Sequence, residues 1–213
     1  MRQNAVMFKT RELSFEGIVT MPDGSASSLP GVVICHPHPL FGGNMDNNVV
    51  LAVSFALVEQ GFVTLRFNFR GVGNSQGEHS KGELEYQEAL AALDMLGAWP
   101  GVNGRRLGLA GYSFGTGVIL GNADLQKRAR AIALISPSSR NLAHTPLKAS
   151  KQPKLIITGD RDRLAPDPQL QSLLASFSHP PIFQVVAGAD HYWVGQEDEL
   201  SRQVSDFFLE HLK

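Results

Sequence analysis

Gly111-Tyr112-Ser113-Phe114-Gly115 is the stretch on which the reading of this chain turns. Residues 106–111 before it are mostly apolar and read as a strand. Residues 114–123 after it are rich in small residues and read as a helix. A G-x-S-x-G string between a strand and a helix marks a turn so sharp that the serine is forced into a strained conformation. Its oxygen then stands clear of the sheet, at a helix N-terminus where free N–H groups favour negative charge. The glycines let neighbouring backbone come close without a Cβ in the way.

Outward from that turn, short apolar runs alternate with helical patterns. Residues 6–8 and 13–19 read as an opening antiparallel pair, followed by a turn at Asp23-Gly24 and a loop over 25–28. Strands are expected over 31–35, 62–69, 131–136, 154–158 and 182–186. Helices are expected over 47–60, 81–99, 167–178 and 196–211. Continuous apolar strands separated by helices imply a mostly parallel, twisted sheet covered on both faces. The 213 residues carry no internal repeat, and no linker is long enough to split them, so residues 1–213 are expected to form a single domain.

Composition narrows the function classes. Nineteen Lys and Arg against twenty Asp and Glu give a formal charge of −1, which argues against a nucleic-acid partner relying on a basic field. One cysteine, Cys35, excludes an internal disulfide framework. A long charge-free run, 168–189, contains Gln169, Gln171, His179, Pro180 and Pro181. The more apolar run 107–123 is broken by five glycines, so no membrane span is expected. The first residues lack a long apolar segment, and a cytoplasmic protein is the expectation. Oligomeric state is not legible.

A serine on such a turn calls for an acid and then a base further along the chain, in that order. Asp160 and Asp162, in Gly159-Asp160-Arg161-Asp162, follow one strand, and His191, in Ala189-Asp190-His191-Tyr192-Trp193, follows the last. All three elements fall at C-terminal strand ends, where open α/β sheets place their sites. Asp190 is a poor partner for His191, because adjacent side chains diverge. Of the two remaining carboxylates, the one further into the loop has the longer reach. The loop Cys35-His36-Pro37-His38-Pro39-Leu40-Phe41 follows the strand over 31–35, where a second donor to a developing oxyanion belongs. Pro37 and Pro39 have no N–H, which leaves the amides of Leu40, His38 and Phe41 beside that of Phe114. We take Phe114 and Leu40 as the expected pair, with His38 as the alternative. His36-x-His38 lacks further ligands for a metal nearby.

Two rival readings meet the same residues. Gly111-x3-Gly115-x-Gly117 also fits a nicotinamide-binding turn, but that turn belongs after the first strand and no Tyr-x-x-x-Lys follows. A binding protein on the same fold would be expected to have one of the three positions broken, and here all three are filled.

The strings over 35–44, 66–75 and 187–193, with the turn at Ser113, resemble the α/β-hydrolase superfamily, and within it the small bacterial serine hydrolases without a lid domain. The resemblance runs from about Gly31 to the C-terminus. It implies an α/β-hydrolase fold without a cap domain, with Ser113 as nucleophile, Asp162 as acid and His191 as base. It also implies acyl transfer from a small-molecule substrate to water, without cofactor or metal. The usual His-Gly of the oxyanion loop is here His36-Pro37. The segment 137–153, 17 residues and mostly polar, is too short for a multi-helix cap. An open cleft rimmed by His38, Phe41, Phe114, Leu164, Tyr192 and Trp193 is therefore expected. It favours short acyl esters, with thioesters and small amides as alternative substrates.

Overall fold

The structure, a computed structural model, describes residues 1–24, 28–164 and 167–213. The loop expected over 25–28 lies outside the described residues except for Ser28. Eight strands form one sheet in the order β1-β2-β4-β3-β5-β6-β7-β8: β1 Arg2–Lys9, β2 Ser14–Met21, β3 Leu29–Cys35, β4 Val63–Phe67, β5 Val102–Tyr112, β6 Ala131–Ile135, β7 Lys154–Gly159 and β8 Ile182–Val186. The pairs β1–β2 and β2–β4 are antiparallel and the other five are parallel. Among the described residues the α-helices are α1 Asn48–Glu59, α2 Tyr86–Gly97, α3 Phe114–Leu120, α4 Ala123–Arg128, α5 Ser139–Ala143, α6 Asp167–Leu174 and α7 Glu197–Leu212.

The strand period of two explains the two layers. Val33, Leu109, Leu134 and Ile156 point to one face, where Leu93 and Leu96 of α2, Ile119 of α3 and Leu170 of α6 cover them. Val32, Ile34, Ala133 and Ile157 point to the other, against Val53 and Leu57 of α1 and Val204 and Phe208 of α7. Each of the Val, Leu, Ile and Phe side chains among them, fully buried, contributes roughly 1.5–3 kcal/mol of transfer free energy. No helix among the described residues is long and apolar enough to cross a membrane.

Several boundaries differ from expectation for local reasons. The helix expected from residue 81 begins at Tyr86, because Lys81 and Gly82 both have positive φ. The buried Glu85 carboxylate ties down that segment by accepting from the amides of Ser80 and Gly82. The strand expected to residue 69 ends at Phe67: the Asn68 amide makes a last bond to Glu16 O of β2, and the Phe69 amide turns away to donate to His36 Nε2. The helix expected over 114–123 breaks at Gly121, and α4 starts afresh with the Asn122 side chain accepting from the Leu125 amide. The helix expected to residue 178 ends at Leu174. Between β6 and β7 lie only the five-residue α5 and a 3-10 turn, Pro146–Ala149, so no cap stands over the sheet.

Candidate active site

Ser113 sits between β5 and α3 with φ 52° and ψ −109°. A non-glycine residue in the left-handed region stores strain of about 1–3 kcal/mol, and the surroundings must hold it there. They do so from both sides: the Ser113 amide donates to Ile135 O at 2.9 Å, and Ser113 O accepts from the Thr116 amide at 3.0 Å. Gly115 is required because a Cβ there would collide with the carbonyl of Cys35 at the end of β3. The first turn of α3 thus lies directly on β3. The thiol of Cys35 is buried beneath it, and burial pushes its pKa up, so it stays protonated.

The turns after β7 and β8 meet over Ser113. His191 Nε2 lies 2.9 Å from Ser113 Oγ, and Nδ1 lies 2.9 Å from Asp162 Oδ2 and 3.0 Å from Oδ1. Asp162 is buried, and its Oδ1 also accepts from the Leu164 amide at 2.9 Å. Asp160 faces elsewhere, accepting from the Gly188 amide at 2.7 Å. Asp190 accepts from the amides of Tyr192 and Trp193 and shapes the turn that carries the histidine. A buried carboxylate on Nδ1 fixes the imidazole with its proton there. Nε2 is left as an acceptor for the seryl proton.

The expected oxyanion donors separate on inspection. The Leu40 amide donates to His38 Nδ1 at 3.2 Å, and the amides of Phe41 and Gly43 both donate to His38 O. Leu40 is therefore corrected: its N–H is spent inside the loop, in the 3-10 turn Pro39–Phe41. The amides of Phe114 and His38 have no protein acceptor among the described residues.

A cleft of about 240 Å³ opens at Ser113, walled by Phe41, Tyr112, Leu164, His191 and Tyr192 among others. Trp193 does not belong to it. With φ 61° its backbone turns the indole inward, where it is wholly buried against α1 and α7 and its Nε1 donates to Ser136 Oγ at 3.1 Å. A second cleft of about 250 Å³ shares His38, Ser113, Leu164 and His191, and extends past Phe114 to Ser136, Ser138 and Asn141.

Sequence reasoning passed over two residues. Tyr112 donates its hydroxyl to His191 O at 2.5 Å, steadying the turn that carries His191. Burial, then the charge of Asp162, raises the phenol pKa, so that proton stays in place. Tyr112 occupies a free position of the G-x-S-x-G pattern, where no spacing rule singles it out. His36 clamps the oxyanion loop, with Nδ1 2.6 Å from Pro37 O and Nε2 accepting from the Phe69 amide at 3.1 Å. Both nitrogens are thereby occupied by backbone. No group of three or more His, Cys, Asp or Glu among the described residues converges on a metal position.

The family model of the alpha/beta hydrolase domain matches residues 32–205. An alpha-beta serine hydrolase homologue from Coxiella burnetii superposes with a TM-score of 0.85 at 33% identity, covering 97% of both chains. A Xanthomonas campestris member of the serine hydrolases without a lid superposes with a TM-score of 0.85 at 25% identity, covering 100% of this chain and 96% of that one. An uncharacterized Rickettsia prowazekii protein is 31% identical over 198 residues, 87% of this chain and 81% of its own. With a serine on a strand-to-helix turn, a sheet of this order and a family match over most of its length, the chain belongs to the alpha/beta hydrolase family.

Proposed function

We propose that the protein is a serine hydrolase that transfers the acyl group of short carboxylic esters to water. The observation that carries this is the unbroken relay from Ser113 Oγ through His191 to the buried Asp162, each step at 2.9 Å. His191 Nε2 takes the seryl proton as Oγ attacks the ester carbonyl. The amides of Phe114 and His38 receive the oxyanion of the tetrahedral intermediate, and Asp162 stabilises the imidazolium. His191 then gives the proton to the leaving alcohol. A water activated by the same imidazole releases the acid and restores Ser113.

Chain length follows from the openness of the site. Phe41, Leu164 and Tyr192 are themselves 87%, 65% and 65% exposed. A longer acyl chain would find little wall to leave water for, and each methylene not buried forgoes about 0.8 kcal/mol. Acyl chains of about two to six carbons are the expected substrates on that transfer argument. The test is labelling with a fluorophosphonate together with hydrolysis of a graded ester series. Ser113 should be the modified serine, and Ser113→Ala should lower turnover by about 10⁴ or more while the fold persists. Wild-type turnover by the alanine variant, or kcat/KM rising steadily with chain length, overturns the corresponding part of the proposal.

A further inference from the structure

The two clefts beside Ser113 differ in chemistry. The first carries the side chain of Asn47 among its rings and backbone, and continues past His191 to Tyr112 and Tyr192. The second runs along α3 and gathers side-chain donors: His38, Ser136, Ser138 and Asn141. None of these donors is spent on the protein. Ser136 Oγ accepts from Trp193 Nε1, and Ser138 Oγ accepts from the Asn141 amide. Their own hydroxyl protons go to no protein acceptor among the described residues, and neither does the side-chain amide of Asn141. His38 Nδ1 accepts from the Leu40 amide, so the neutral ring must carry its proton on Nε2, which has no protein partner. Burial, then the neighbouring His79, lowers the His38 pKa, which favours that neutral tautomer. Gly117 makes room for the arrangement: a Cβ there would lie 2.6 Å from Asn141 Nδ2.

We propose that the second cleft selects acyl groups carrying a neutral oxygen a few bonds from the carbonyl, as in hydroxyacyl or oxoacyl esters, with Asn141 and the His38 ring as specificity-determining donors. This rests on the hydrolase reading and names its substrate class. In this proposal the acyl chain is assigned to the cleft along α3 and the alcohol to the cleft toward Tyr112 and Tyr192. Phe114 and Leu164 supply apolar walls for its carbons. No cationic side chain lines this cleft, so its donors match a hydroxyl or carbonyl oxygen and leave a carboxylate without a counter-charge.

The test compares ethyl butyrate, ethyl 3-hydroxybutyrate and monoethyl succinate by acid release, in the wild type, Asn141→Ala and Gly117→Ala. The wild type should favour the hydroxy ester over the plain one by about fivefold or more in kcat/KM, mainly through KM. Both variants should bring that ratio near unity while the plain ester stays within about twofold of wild type. Equal wild-type rates on the two neutral esters overturn the inference without any variant, as does a preference for the succinate ester. So does a ratio that survives in both variants, each checked for a native circular-dichroism spectrum. Hydrolysis of ethyl butyrate with no gain from the hydroxyl sinks this inference alone. Failure to hydrolyse any ester, with Ser113 unlabelled by a fluorophosphonate, sinks the hydrolase reading with it.

Discussion

Replacing His36 by Asn should remove one acid-sensitive contribution to the stability of the fold. His36 is wholly buried, and both ring nitrogens are engaged with backbone. A second proton would have to sit on Nε2, where the Phe69 amide already points. Burial pushes the pKa from 6.5 down to about 4. Between those values the unfolded chain binds a proton that the folded chain excludes. Stability from this residue is therefore complete above pH 6.5 and falls as pH drops toward 4. At about 1.36 kcal/mol per unit, the whole window corresponds to roughly 3 kcal/mol, of which about 2 kcal/mol is lost by pH 5. Glu88 works in the opposite sense. Buried beside Arg70, it is pushed up to about 7, so the folded chain keeps a proton that the unfolded chain releases between 4.5 and 7. The wild-type curve alone is thus flattened, and the variant is needed to separate the two. Urea unfolding of both proteins should show the wild-type advantage shrinking by about 2 kcal/mol from pH 7.5 to pH 5, with Glu88 cancelling in the difference. A difference that stays level across that range refutes the reasoning.

Asp162→Asn should lower turnover by about 10³–10⁴, whereas Asp160→Asn, which alters only the bond to the Gly188 amide, should stay within a few-fold of wild type; steady-state kinetics on one short ester distinguishes them. Trp193→Phe removes the indole donor to Ser136 and should cost about 1–2 kcal/mol in denaturant unfolding while changing KM by less than about twofold, the opposite pattern from a cleft residue.

The fold was legible wherever burial on both faces leaves a continuous apolar run, as in β3, β6 and β7, and the strand-to-helix turn at Ser113 is written in its glycines. What sequence could not show was settled by partners distant in the chain. Nothing near residue 81 announces that the Glu85 carboxylate will bind backbone amides and delay α2. The Leu40 amide looked available because the ring that captures it belongs to His38, and side-chain capture inside a loop has no periodicity. Trp193 follows the base and a half-exposed neighbour, and alternation would place it at the rim. Its left-handed backbone, which no composition rule predicts for a tryptophan, sends it into the core instead. The pairing of Asp162 with His191 was readable as a choice between two carboxylates, and the orientation of Asp160 toward Gly188 separates them in space.

The turns after β7 and β8 are sewn together by main chain. The amides of Asp160 and Arg161 donate to the carbonyls of Val186 and Ala189, and Gly159 is bare of a side chain where any Cβ would strike Ala189 O. The couple formed by Asp162 and His191 therefore travels as one rigid part whose alignment is fixed before the chain reaches Leu164. A side chain introduced at position 159 would therefore part Asp162 from His191 without touching either, by pushing the two turns off each other.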